Sequence, residues 1–134
     1  MKKLNLVLTL IVVLAISSCS NSTKKAKVVE FKEKVIVAYF HGERRCETCI
    51  AVGDLAKLTV EENFKDNKDV AFKEINIELD ENKAIAEKYE IAGSAMLIIV
   101  DGKAEDITGF AFQNALNKPE LLKDRIIELV EKGL

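Results

Sequence analysis

The chain has no tryptophan, one proline (Pro119), one histidine (His41) and only three cysteines. Each scarcity closes a class of function. A structural zinc site built on one CxxC pair needs a second pair or two histidines, so a zinc site here would need two copies of the chain. One proline and no internal repeat give little support for splitting 134 residues into two domains, and that length suits one modest core. The formal net charge is −2 and no long basic run occurs in the body of the chain, so nucleic-acid binding has no electrostatic footprint. There is no glycine-rich dinucleotide motif and no recognisable flavin site, and no cofactor is expected. With 31% charged and 49% apolar residues, the chain should fold as a globule rather than stay disordered.

Long uncharged apolar sequence occurs once, in the run LNLVLTLIVVLAI from Leu4 to Ile16, behind Lys2 and Lys3. So short a run with a basic start reads as a secretory signal rather than a membrane-spanning helix. It closes on Ile16-Ser17-Ser18-Cys19, which resembles the lipobox of bacterial lipoproteins. That resemblance implies cleavage before Cys19 and lipidation of its side chain, making Cys19 a membrane anchor. Ser20 resembles the residue that follows in lipoproteins sent to the outer membrane of a two-membrane cell. The expected organisation is a signal over 1–18, a lipidated cysteine and tether over 19–33, and a domain over 34–134. Cleavage leaves 18 basic residues against 22 acidic ones, a charge of −4. The expected location is the cell envelope, facing the periplasm, where disulfides form and persist. With Cys19 acylated, Cys46 and Cys49 are the remaining thiols.

Those two cysteines stand in ERRCETC, Glu43–Cys49, three positions apart. Before them, Lys34–Phe40 is an apolar, β-branched and aromatic run that reads as a buried strand. After them, Val52, Leu55, Ala56, Thr59, Val60 and Phe64 fall at helical spacing, predicting an amphipathic helix from near Cys46. A strand is predicted over Val70–Ile77, a short helix over Asp80–Tyr89 and an apolar strand over Ala95–Val100. Asp101-Gly102 signals a hairpin into a strand around Glu105–Thr108. A final helix is predicted over Asn117–Lys132, capped by Asn117 with Glu120 three residues on. The order is β, α, β, α, β, β, α. The helical connections argue for parallel pairing of the first three strands, with an antiparallel strand added by the hairpin. The expected fold class is α/β, a three-layer sandwich around a central mixed sheet.

From about Val35 to Val130 the chain resembles the thioredoxin superfamily. The resemblance rests on the strand–CETC–helix unit, on INIELDENKAIAEKYEIAGSAMLIIVDGK from Ile75 to Lys103, and on the closing helix. It implies a thioredoxin-like fold and a redox role for the pair, with a partner protein exchanging electrons. At a helix N-terminus, unpaired N–H groups and a partial positive charge stabilise a thiolate. Cys46 is thus the candidate nucleophile, its pKa lowered, with Arg44 and Arg45 adding positive potential and Glu47 opposing it. Cys49 would resolve the mixed disulfide. His41 could relay a proton, and the arginines could hold an anionic substrate. The same pair could instead be an inert disulfide, or capture a soft ion.

The chain departs from many thioredoxins, which carry tryptophan before the first cysteine and Gly-Pro inside the pair; here stand Arg45 and Glu47-Thr48. Phe40 occupies the place, six residues before Cys46, where thioredoxin has a buried acid. Where the family places a cis-proline facing the dithiol, the chain has Ala95, and the Ser94–Ala95 bond is expected to be trans. In the family that proline helps keep metal off the pair, so capture of a soft metal ion or arsenite by Cys46 and Cys49 gains weight. YFHGERRCETC, the long segment to Lys103 and ITGFAFQNALNKPELLK also resemble small lipoprotein thioredoxin-like proteins described as nitrophenyl-compound nitroreductase subunits of bacterial arsenic-resistance clusters. That resemblance implies an accessory subunit whose partner supplies the flavin.

Overall fold

The computed structural model describes residues 30–134. The signal, Cys19 and the tether up to residue 29 lie outside the described residues. Strand β1 (Val35–His41) is buried at all seven positions, which only a strand covered on both faces can be. Helix α1 (Glu47–Phe64) follows, then β2 (Val70–Asn76), and a 3₁₀ turn over Asp80–Asn82 leading into α2 (Lys83–Lys88). Strands β3 (Ala95–Val100) and β4 (Lys103–Asp106) form the hairpin. Helices α3 (Thr108–Asn114) and α4 (Pro119–Gly133) close the chain.

The sheet order is β2-β1-β3-β4. Strand β2 runs parallel to β1, with Val35 opposite Val70 and His41 opposite Asn76. Strand β3 runs antiparallel to β1, with Phe40 opposite Ala95. This corrects the parallel pairing expected for the third strand. The physical reason is the size of the second connection. Helix α2 has six residues and spans about 9 Å, against about 23 Å for the seven residues of β1. It cannot carry the chain back along the sheet, so β3 starts at the end where β2 finished. That end is also where α1 begins.

Alternation along the central strands sorts the core into two layers. Val35, Val37, Tyr39, Met96 and Ile98 face α1, α3 and α4, meeting Val52, Ala56, Val60, Leu122 and Ile126. Ile36, Ala38, Phe40, Leu97 and Ile99 face α2, meeting Ile85. Each fully buried Val, Ile or Leu contributes about 1.5–3 kcal/mol, so both layers matter to a domain this size. The architecture is the thioredoxin-like three-layer sandwich with a mixed sheet that the sequence predicted.

Three further differences concern the later elements. Asp101 (φ 48°) and Gly102 (φ 78°) both take positive φ, the conformation of a type I′ hairpin, and β4 falls two residues earlier than expected. All four β4 residues are exposed, so no apolar alternation marks that strand. Helix α3 was not predicted: seven residues with two buried, Ala111 and Asn114, show no usable period. Thr108 anchors it, its amide donating to Asp106 Oδ1 at 2.8 Å and its Oγ1 accepting from the Met96 amide at 2.9 Å. Nor does Asn117 cap α4. The N-cap is Lys118, whose side chain has no acceptor and makes no capping bond; its amide donates to the Asn114 carbonyl at 2.8 Å, so Asn117 still belongs to the turn that leaves α3. Pro119, next in line, has no amide to cap.

Candidate active site

Strand β1 ends at His41, and the loop Gly42–Arg45 carries the chain onto the head of α1. Cys46 is the N-cap residue of that helix, extended at φ −75° and ψ 167°. Its Sγ accepts a hydrogen bond from the Cys49 amide at 3.1 Å, the bond a serine or aspartate cap would accept. Cys46 and Cys49 form a disulfide, with Cα atoms 4.9 Å apart. Cys46 is exposed and Cys49 half-buried. A molecule approaching the helix head therefore meets the Cys46 sulfur first. Once reduced, a thiolate on Cys46 keeps the Cys49 amide as donor and sits at the positive end of the helix dipole, both of which favour the ionised form.

The loop is held by carboxylates from β2 and the segment after it. The Glu43 amide donates to Glu78 Oε1 at 3.1 Å. Arg45 pairs with Glu74 on β2, so its charge is committed there rather than free to face Cys46. His41 Nε2 lies 3.4 Å from the same Glu74 oxygen. Its Nδ1 sits 2.7 Å from the Gly42 carbonyl, which can only accept, so Nδ1 carries a proton. The contact with Glu74 is then an ion pair only when the ring is doubly protonated. Among the described residues, no ion pair involves Arg44, which is exposed. The structure thus joins His41 and Arg45 through Glu74 beside the helix head and leaves Arg44 at the surface.

Beneath the pair lies Tyr39, fully buried, on the face of β1 that α1 covers. Its hydroxyl donates to the Cys49 carbonyl at 2.7 Å. Burial pushes the phenol pKa up, while the Ser94 hydroxyl and the Arg45 charge offset part of the rise. The ring stacks on His41, centroids 5.5 Å apart, and also lies close against Gly53 of α1. Phe40, by contrast, points into the α2 layer against Tyr89. The side chain under the second cysteine is therefore a tyrosine one residue earlier than the position counted back from Cys46. Ala95 opens β3 opposite Phe40 and is buried in the α2 layer. No peptide bond among the described residues is cis, so the Ser94–Ala95 bond is trans as expected.

Sequence reasoning missed Tyr39, Glu74, Ser94 and Gly53. One signal was available: strict alternation in β1 puts Tyr39 and His41 on one face and Phe40 on the other. A cleft of about 820 Å³ lies between β4, α3 and α4, and neither cysteine lines it. Among the described residues no group of three or more His, Cys, Asp or Glu could hold a metal ion, and no helix is long and apolar enough to cross a membrane.

No protein-family model and no curated protein sequence matches the chain. Among solved structures, it is similar to a thioredoxin from Fasciola hepatica, at 24% identity and a TM-score of 0.46. The match covers 72% of this chain and 82% of that one. The fold assignment rests on the chain's own strand order and register.

Proposed function

We propose that the protein is a thiol–disulfide oxidoreductase that works at the cell envelope, tethered to the membrane by lipid on Cys19. The observation that carries the redox reading is the Cys46–Cys49 disulfide at the N-cap of α1, with Cys46 exposed and Cys49 half-buried. In the reducing direction, the Cys46 thiolate attacks a partner disulfide, forming a mixed disulfide and releasing one partner thiolate. Cys49 loses its proton to solvent and attacks Cys46 Sγ, closing the intramolecular disulfide and releasing the second partner sulfur. Two electrons pass to the partner, and a dithiol partner must return them. The reverse sequence oxidises a dithiol.

The tether is supported by the Ile16–Cys19 pattern, and a periplasm-facing site by the persistence of disulfides there. The substrate class is a disulfide or dithiol on another protein, since Cys46 sits on an exposed helix head and neither cysteine lines the cleft between β4, α3 and α4. The resemblance to nitroreductase subunits supports a flavin-bearing partner as the source or acceptor of electrons. Substitution tests the reading. Cys49→Ser should accumulate a mixed disulfide with the partner, and Cys46→Ser should abolish turnover; unchanged electron transfer in Cys46→Ser would end it.

A second reading uses the same two sulfurs as ligands for arsenite or another soft ion. It is favoured by the exposure of Cys46 and the 4.9 Å Cα separation, which lets both sulfurs reach one atom. Titrating free thiols in glutathione buffers with and without arsenite separates the two. Reversible cycling with weak protection supports the carrier, whereas stoichiometric protection with poor turnover supports the binding protein.

A further inference from the structure

A single hydroxyl ties the central sheet to the head of α1. Tyr39 Oη, on β1, donates to the Cys49 carbonyl in the first turn of that helix. A first-turn carbonyl already has an amide donor four residues on, here at Gly53, so the phenol is not needed to satisfy it. What the second bond adds is placement. The fit is bought with a glycine in mid-helix, an unfavourable choice that only the ring explains: a Cβ at Gly53 would lie 2.8 Å from two Tyr39 ring carbons. The ring is fully buried between α1 and the sheet and cannot swing away.

We propose that Tyr39 is a positioning residue for the resolving step, holding the first turn of α1 so that Cys49 stays within bonding reach of Cys46 whenever the disulfide is open. The inference rests on the redox reading above. In the oxidised protein the S–S bond itself pins the turn. In the dithiol and in the mixed disulfide that constraint is gone, and the Tyr39 bond and the Cys46 cap remain. Removing the hydroxyl therefore frees the open states and leaves the closed one where it was. The effective concentration of Cys49 at Cys46 falls, which slows closure and makes the disulfide less favoured.

Tyr39→Phe keeps the ring against Gly53 and deletes only the donor. Losing one neutral hydrogen bond of typical strength amounts to about fivefold, and fivefold in a two-electron couple is about 20 mV. The full-length protein in detergent, wild type and Tyr39→Phe, would be reduced and mixed with Ellman's reagent in a stopped-flow instrument. Attack by Cys46 releases the first thionitrobenzoate, and closure by Cys49 releases the second. The expected result is a first phase within twofold of wild type, a second phase about two- to fivefold slower, and a higher reduction potential in glutathione buffers. Equal slowing of both phases, or no change in second phase and potential, overturns the proposal. So does a Tyr39→Phe protein that melts far below wild type in the oxidised form, because the hydroxyl would then be holding the fold. A wild-type protein that shows no second release overturns the redox reading itself, and this inference with it.

Discussion

Replacing Gly53 by alanine tests whether α1 is seated on Tyr39 as tightly as the structure shows. Two effects of opposite sign compete. Alanine in a helix interior is favoured over glycine by about 1 kcal/mol, which would stabilise a free α1. Against this, the new methyl would stand 2.8 Å from Tyr39 Cδ1 and from Cε1, closer than real Cβ contacts come. The ring is fully buried and stacked on His41, with Val52, Ala56 and Met96 in the same layer, so it has nowhere to retreat. Overpacking of this kind costs about 1–3 kcal/mol. The net expectation is a loss of about 1 kcal/mol, or about 4–8 °C in Tm for a domain of this length. Urea unfolding of the oxidised protein, followed by circular dichroism, measures it. Gly109→Ala in α3 supplies the contrast, since no atom lies within 4 Å of its added Cβ; it should be neutral or gain up to about 1 kcal/mol. Equal stabilisation by both substitutions would refute the account, because α1 would then be free to move off the ring.

Other expectations follow from particular contacts. Ile126→Ala, at a fully buried position of α4 facing the α1 layer, should lose about 2–5 kcal/mol in the same urea assay. Glu74→Gln should change stability by less than about 1 kcal/mol, since the pair with Arg45 is partly exposed. It should also release the Arg45 charge toward Cys46, moving the iodoacetamide alkylation profile of Cys46 to lower pH; an unmoved profile would mean Arg45 does not act on the thiolate. Burial raises the Glu33 pKa, but the hydrogen bond and charge of Lys73, 3.0 Å away, outweigh it and leave the carboxyl below its ordinary 4.5. A carboxyl depressed in the folded state stabilises above its unfolded value, and that contribution is lost as pH falls below 4.5. Glu33→Gln should therefore flatten the acid limb of stability between about pH 5 and pH 3 in urea titrations; an unchanged limb would mean the pair contributes nothing.

The chain's local patterns determined most of the elements and the place of the cysteine pair. An apolar β-branched run, then CETC, then a 3.6-residue period put Cys46 at a strand-to-helix junction, and the structure has it as the N-cap of α1. Asp101-Gly102 likewise announced its hairpin. These features depend on neighbours a few residues apart, whose spacing is itself the signal. The direction of β3 was not legible, because the connection before it had to be weighed by length and not by composition. Short α3 and exposed β4 lack the apolar period that marks an element. The surroundings of the dithiol were decided by tertiary structure alone. Glu74 meets Arg45 and His41 because β2 lies beside β1 in one particular register, with Glu74 opposite Tyr39. Tyr39, not Phe40, lies under Cys49 because α1 crosses that face of the sheet and leaves the other to α2. A strand's pattern says which residues share a face, but which helix covers that face depends on how the whole chain packs, and so does the chemistry that Cys49 meets.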